Sequence, residues 1–432
     1  MLRPNNSNSI TSDELMRILI LGLGGITTQF RNWPERTLGQ QLVRAGHEVH
    51  AITYYQPEQA HMGLATRSDT IDGIQVRRVK PEFYPARELI AALQSMPLPD
   101  IVHVMHPRNV LAFQALRWLK DRNVPIVWTW LGPYHDRWLI PDRERPYEHR
   151  PQPEKLLFSW PALLQRMATH SPAVLRGPGK AARQLRDDWW NYAIHAPLKL
   201  VDGLLPCSQH EAEVLASLGF GHLPCEVVPL WLDMDFMHGP APSLEHSFTK
   251  PIIPYIGQLV VRKCYDMVVA AMPTIVQRFP QASFVFVTHN PEQRENLQHM
   301  AAERGVAQNL HFLGTISEEQ KLALLRASDV LPFPSRYEGF GLPVLEGLAA
   351  GTAVISTNIP VINELITDGV NGLLIPYDDV PALEQAMLGV LQNPQLRAEL
   401  IVGGQRSMSE HFDPQRLCAR VVEFYTRMMN VG

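Results

Sequence analysis

Pro334-Ser335-Arg336-Tyr337-Glu338-Gly339-Phe340-Gly341-Leu342-Pro343-Val344-Leu345-Glu346-Gly347-Leu348-Ala349-Ala350-Gly351 is the stretch on which the fold turns. The apolar run Val330-Leu331-Pro332-Phe333 stands before it and reads as a short buried strand. Gly339 and Gly341 then make a tight loop whose backbone a ligand can approach closely. A helix is expected from about Leu342, with Pro343 in its first turn. Strand, glycine loop and helix start form the repeating unit of a doubly wound parallel sheet, where ligands sit at the carboxyl ends of the strands.

The unpaired N–H groups and dipole at that helix start make an anion site, and a diphosphate suits it. Two acids flank it. Glu338 precedes the glycines, and Glu346 falls one turn inside the helix, in phase with Leu342 and Ala349. An acid on a core-facing stripe needs a partner, or its burial is costly and shifts its pKa. Sugar hydroxyls are suitable partners. One glutamate alone reads as an ordinary acid stabilised by a helix dipole. The whole string reads as hydroxyl reader, phosphate cradle, hydroxyl reader, the layout of a sugar–diphosphate–ribose ligand.

The alternation extends outward in both directions. Apolar runs at 252–256, 283–287, 310–313, 330–333 and 353–356 alternate with helical patterns, and a last helix is expected at 414–429. Upstream, Arg17-Ile18-Leu19-Ile20-Leu21 runs into Gly22-Leu23-Gly24-Gly25. Helical spacing follows at Leu38, Leu42 and Ala45, with Gly46 as the stop. Further strands are expected at 49–54, 101–105 and 125–130, with a helix at 110–119 between the last two. The runs at 203–206 and 226–229 resume the alternation.

The expected architecture is α/β, with two Rossmann-like domains facing a cleft: residues 16–237, a polar linker at 238–250, then 251–412. Residues 413–432 form the closing helix, and 1–15 are a polar, disordered N-terminus. An insertion occupies about 135–200, with 142–155 as loop. Within it Leu157, Trp160, Leu163, Leu164 and Met167 mark an amphipathic helix that Pro161 would split or kink. Arg176, Lys180, Arg183 and Arg186 follow, with Trp189 and Trp190. Such a segment, about 156–190, caps the first domain, lines an acceptor site, or makes peripheral contact with an anionic membrane.

Composition narrows the partners. The chain has 432 residues, 45% apolar, enough for two cores. A net charge of -4 gives no field for nucleic acid. Cys207, Cys225, Cys264 and Cys418 show neither zinc spacing nor a disulfide framework and read as reduced cytoplasmic thiols. The N-terminus has no signal-peptide h-region, and no stretch of 18 apolar residues spans a membrane. Gly22-x-Gly24-x-x-Thr27 fails the dinucleotide fingerprint at its last position, so no nicotinamide cofactor is expected.

With these residues in view, the sequence resembles the family-4 (group 1) glycosyltransferases, retaining enzymes of the GT-B fold. Their hallmark pairs two glutamates with seven residues between them in a Pro-Ser-x-x-x-Glu-Gly-Phe-Gly-Leu context, which Glu338 and Glu346 reproduce. The likeness continues through Gly351-Thr352-Ala353-Val354-Ile355 and Glu364-Leu365-Ile366-Thr367-Asp368-Gly369-Val370-Asn371-Gly372. It implies a metal-independent transfer from a nucleoside diphosphate sugar to a hydroxyl acceptor, with no cofactor besides that co-substrate. Glu338 would contact the donor sugar and Glu346 the ribose. The backbone of Gly339, Phe340, Gly341 and Leu342 would hold diphosphate and sugar.

The resemblance also assigns the family's basic pair to Gln258 and Lys263, and here the chain departs. Gln258 stands where relatives have arginine, and Cys264 where they have glycine. Arg262 is a substitute cation, although adjacent residues on an extended segment point to opposite sides. Gly24 and Gly25 match the glycine loop near the donor phosphates, or form a plain strand-to-helix turn. Relatives often place a histidine where Met105 stands, and His106 is the candidate for its cleft role if the strand ends early. His103 reads as a satisfied core histidine, and His135 as a further cleft candidate. Leu230 and Trp231 replace the family's flexible Asn-Gly, and Asp233-Met234-Asp235 reads as a chain reversal.

The expected catalytic set is Glu338, His106 and Lys263, in a cytoplasmic protein whose 156–190 face could meet the inner membrane. Two other readings use the same donor elements. One is a sugar phosphorylase or synthase on this fold. The other, motivated by Gln258 and Met105, is a non-catalytic sugar-nucleotide-binding subunit.

Overall fold

β1 (Arg17–Leu21) sets the pattern of the first domain. Leu19 and Leu21 enter one core, Ile18 and Ile20 the other, so both faces of the strand are covered. A computed structural model describes residues 14–82, 85–106, 109–132, 156–169, 178–240, 243–288 and 293–430. Most of the expected N-terminal tail, the 142–155 loop and His135 lie outside them.

After β1 come α1 (Pro34–Arg44), β2 (Glu48–Tyr54), the hairpin β3 (Ser68–Ile71) and β4 (Ile74–Val79), α2 (Arg87–Gln94), β5 (Ile101–Met105), α3 (Ala112–Lys120) and β6 (Ile126–Thr129). The insertion contributes α4 (Trp160–Thr169) and α5 (Pro178–His195); then follow β7 (Gly203–Leu204), α6 (Gln209–Leu215) and α7 (Met234–His238). The sheet order is β3-β4-β2-β1-β5-β6-β7, with only β3 antiparallel to its neighbour.

The second domain holds β8 (Ile252–Ile256), α8 (Tyr265–Arg278), β9 (Ser283–Val287), α9 (Arg294–Glu303), β10 (Leu310–Gly314), α10 (Glu318–Ala327), β11 (Leu331–Phe333), α11 (Leu342–Ala350), β12 (Val354–Thr357), β13 (Leu373–Ile375), α12 (Val380–Gln392) and α13 (Pro394–His411). Two parallel sheets, β10-β9-β8 and β11-β12-β13, stand edge to edge. Asp329 ties them: its N–H donates to Ile252 O, and its carboxylate accepts from Ile252 N–H, both at 2.9 Å. Side chains of β8 and β9 again alternate between two cores.

α14 (Pro414–Asn430) returns to the first domain. Its Leu417, Val421, Phe424 and Tyr425 complete the core under Ile18 and Ile20. Trp231 belongs to the same core and donates from Nε1 to Thr37 O at 3.2 Å. The bulk that replaces the family's Asn-Gly therefore anchors the interdomain segment to the first domain.

Several local expectations need correction. Pro161 does not kink a helix; it is the second residue of α4, where its missing N–H costs nothing. Residues 226–229 form no strand, although Glu226 and Val228 donate to Leu204 O and Pro206 O beside β7. Asp233 caps α7 by accepting from Phe236 N–H, so 233–235 opens a helix. The β3–β4 hairpin and β13 went unread because their alternation is polar or short.

Candidate active site at the cleft

The loop from β11 to α11 folds around Glu338. Gly341 takes φ 104° at the helix start, the left-handed region in which glycine is favoured. Ser335 Oγ donates to Glu338 Oε1, and Lys263 Nζ lies 2.5 Å from the same oxygen. Both side chains of the ion pair are nearly buried. Burial pushes the Lys263 ammonium below the ordinary lysine value, against the opposing pull of Glu338. Lys263 also lies over the Phe333 ring, 4.8 Å from its centroid.

Val261–Lys263 is a short 3₁₀ turn, not the extended segment expected. Arg262 points its guanidinium toward Tyr337 O, at 3.5 Å. Arg336 straps this turn to the Glu338 loop. Its N–H donates to Arg262 O at 2.7 Å and its Nη1 to Val261 O at 2.8 Å, while Asp378 pairs with the guanidinium. Gln258 keeps its side chain exposed; its carbonyl accepts from Tyr255 OH at 2.8 Å. Cys264 takes φ 48°, which explains why a glycine suits this position.

Glu346 is buried one turn inside α11 and already has protein partners. Its Oε1 accepts from Asn32 Nδ2 at 2.9 Å and from Lys321 Nζ at 2.8 Å. Lys321 also pairs with Glu318 at 2.9 Å. Burial alone would lower the Lys321 pKa, but the Glu346 and Glu318 carboxylates hold it above the ordinary lysine range. Burial raises the Glu318 pKa, and Glu346 adds to the rise while Lys321 opposes it. The sequence reading missed Asn32, Lys321 and Glu318. Only the Glu318–Lys321 spacing of three was visible, and it reads as an ordinary surface pair.

The domains meet across this loop. A Cβ on Gly339 would lie 2.8 Å from Leu131 O, and Cys207 Sγ donates to Gly339 O at 3.5 Å. Glu364 accepts from Gln209 N–H and His210 N–H at 2.7 and 3.0 Å, capping α6 from the other domain.

In the first domain β5 ends at Met105, and His106 leaves it at φ 72°. The Met105 side chain is core, not cleft. His103 is also core, with Nδ1 2.6 Å from Tyr425 OH and Nε2 2.8 Å from Thr129 Oγ1. His106 Nε2 lies 3.1 Å from Glu35 Oε1. Gly24 and Gly25 lie in the loop after β1, but its N–H groups already hold an anion: Leu23 and Gly25 each donate to the Glu35 carboxylate at 2.5 Å. The Trp33 indole covers Gly25, leaving no room there for even a methyl group. The phosphate reading of this loop thus meets an occupied nest.

A two-domain α/β chain with a glycine loop at a helix start and two buried glutamates beside it has the form of a GT-B protein. The description Glycosyltransferase Family 4 matches residues 36–236, and Glycosyl transferases group 1 matches 242–407. The chain belongs to this family of glycosyltransferases. It is 30% identical over 172 residues to a phosphatidyl-myo-inositol mannosyltransferase of Mycolicibacterium smegmatis, covering 40% of this chain and 43% of that one. It is 26% identical over 224 residues to a glycogen synthase of Mycobacterium tuberculosis, covering 52% and 54%. The matched stretch thus spans about half the length of these relatives.

Among solved structures, sucrose-phosphate synthase from Thermosynechococcus elongatus superposes with TM-score 0.69 at 17% identity, covering 96% of this chain and 100% of that one. Anabaena HepE in complex with UDP-glucose gives 0.65 at 15%, covering 95% and 99%. These likenesses establish the GT-B fold.

Proposed function

We propose that the protein is a retaining hexosyltransferase that moves a sugar from a nucleoside diphosphate to a hydroxyl of a glycan, lipid or small molecule, without a metal ion. One observation carries the reading: Lys263 Nζ lies 2.5 Å from Glu338 Oε1 beside the glycine loop that opens α11, with Glu346 buried one turn further on. In this reading Glu338 faces the donor sugar and Glu346 the ribose. The backbone of Gly339 through Leu342 faces the diphosphate. The helix start and Lys263 balance the charge that grows on the departing diphosphate. His106 enters from the first domain, and the glycine-to-Leu131 contact keeps water out as the cleft closes.

The relatives named for mannosyl transfer and glycogen synthesis, and the neighbour bound to UDP-glucose, support a nucleotide-sugar donor. Among the described residues no helix is long and apolar enough to cross a membrane. A cytoplasmic enzyme in peripheral contact with the inner membrane face is the accompanying proposal. It rests on exposed Trp160, Leu164 and Trp190 on α4 and α5.

The test is a thermal-shift panel of UDP-, GDP-, ADP- and TDP-sugars, followed by diphosphate release with candidate acceptors. At least one donor should raise the melting temperature and turn over. Glu338→Ala should keep the fold and lose turnover. Unchanged activity in that variant removes Glu338 from the site. Binding without release under any acceptor, phosphate or water favours a non-catalytic binding subunit, and sugar phosphate formed with inorganic phosphate favours a phosphorylase.

A further inference from the structure

We infer that Glu35 is a positioning residue of the cleft: it fills the anion nest of the first-domain glycine loop and fixes His106, leaving the donor diphosphate to the second domain alone. This rests on the proposed reading of the cleft as a glycosyl-transfer site containing His106.

Glu35 stands in the first turn of α1 and is 0% exposed. Each carboxylate oxygen takes one N–H of the loop, Leu23 on Oε1 and Gly25 on Oε2. Two backbone N–H groups of one turn converging on one anion is the arrangement such a loop offers a phosphate. The loop is shaped around this carboxylate. At Gly22 even a Cβ would meet Glu35 Oε1. The carbonyls of the loop are tied as well. Arg36 Nη1 donates to Thr27 O and Phe30 O at 3.0 and 3.1 Å, and Arg78 Nη2 to Ile26 O at 2.8 Å. A diphosphate brought here would find the Leu23 and Gly25 N–H groups taken and would face an ionised carboxylate.

The same carboxylate reaches His106. A histidine at φ 72° persists only where its surroundings over-determine it. Its N–H donates to Thr129 O and its carbonyl accepts from Trp128 Nε1, both at 3.1 Å. Those bonds fix the backbone. The ring faces the Glu35 carboxylate, with Nε2 3.1 Å from Oε1, and packs beside the Trp33 indole, with ring centroids 6.1 Å apart. Burial alone would favour the neutral acid of Glu35, but His106 and the two N–H groups keep its pKa below the ordinary value.

The experiment compares wild type, Glu35→Ala, Glu35→Gln, His106→Ala and the Glu35→Ala/His106→Ala double variant. Glu35→Ala should lower kcat about 100-fold through misplacement of His106. Donor KM and nucleoside diphosphate affinity by calorimetry should stay within about threefold. Formate should restore part of the lost kcat, and chloride at equal ionic strength should not. In the His106→Ala background the same change should add little. Hydrogen exchange of the peptide covering 21–26 should speed up in Glu35→Ala, and the His106 ring resonances in NMR should shift. Where that variant does not fold, Glu35→Gln, which keeps volume and one acceptor, carries the comparison.

Nucleoside diphosphate affinity falling in step with kcat would overturn the inference, because the loop would then bind donor. Full additivity with His106→Ala would also overturn it, as would unmoved His106 ring resonances. If wild type neither binds a nucleoside diphosphate nor transfers from any donor, the proposed function falls by itself. The comparison of His106 ring resonances then still decides whether Glu35 holds His106.

Discussion

Lys263 Nζ lies 2.5 Å from Glu338 Oε1, so the cation of the cleft is neutralised by its carboxylate. A diphosphate entering at α11 competes with Glu338 for that ammonium. Glu338→Gln should therefore tighten nucleoside diphosphate binding about 3- to 10-fold while lowering turnover at least about 100-fold. Lys263→Met should instead leave a buried carboxylate unpaired and cost about 3–5 kcal/mol. Calorimetry and urea unfolding read the two effects separately. Weaker nucleotide binding in Glu338→Gln would refute the competition.

Gly339 lies against the first-domain backbone at Leu131 and Gly132. An alanine there would place Cβ 2.8 Å from Leu131 O and 3.4 Å from Gly132 Cα, forcing the cleft apart. Gly339→Ala should lower kcat about 10- to 100-fold with little change in unfolding midpoint, since the lost contact lies between domains. Steady-state kinetics beside a thermal melt checks this. An unchanged kcat would mean that this closed contact is not the reacting geometry.

Lys321 joins two carboxylates, Glu346 at 2.8 Å and Glu318 at 2.9 Å. Lys321→Met leaves two buried acids near each other with no cation between them. The expected loss is about 3–5 kcal/mol in urea unfolding. Nucleoside diphosphate affinity should fall as well, because the carboxylate assigned to ribose loses one of its two supports. A stable variant with full affinity would remove Lys321 from the site.

The second domain was the more legible half. Strands β8, β9, β11 and β12 are buried throughout, so they read as apolar runs, and the Glu338–Glu346 string carries loop and helix start within one local segment. What stayed hidden depends on distance along the chain. Asn32 reaches Glu346 across 314 residues, and Lys321 reaches it from a different helix. Glu35 carries no signal in the sequence, since nothing local says that a helix will turn its carboxylate back into the preceding glycine loop. The β3–β4 hairpin escaped because alternate positions, such as Gln75 and Arg77, face solvent.

Cys264 holds φ 48° one residue after Lys263, and its side chain is buried. In ordinary helical backbone alanine is more stable than glycine. Here the order should reverse. Cys264→Ala keeps the left-handed strain and loses the thiol; Cys264→Gly loses both. Glycine should be the more stable of the two variants by about 1 kcal/mol. Alanine being the more stable variant in denaturant unfolding would show that the turn carries no such strain.

His103 gives the chain a pH dependence whose sign follows from its hydrogen bonds. Thr129 Oγ1 donates to Leu205 O at 2.7 Å, so it must accept from His103 Nε2–H. Nδ1 then accepts from Tyr425 OH at 2.6 Å, and the neutral ring is fully satisfied. Burial pushes its pKa from 6.5 to about 3. In the unfolded chain the ring takes up a proton below 6.5, whereas in the folded chain it does not until about 3. The contribution is therefore complete above pH 6.5 and is lost as pH falls through that window. One proton taken up on unfolding corresponds to a slope of about 1.4 kcal/mol per pH unit. Urea unfolding of wild type and His103→Gln between pH 8 and pH 4.5, roughly the neutral side of the window, should show the variant lacking that slope. The variant should be less stable at pH 8, where the wild-type bonds are intact, and the gap should narrow as the pH drops. Parallel curves would mean that the ring is protonated in the fold, and the bonding scheme from β5 to α14 would have to be redrawn.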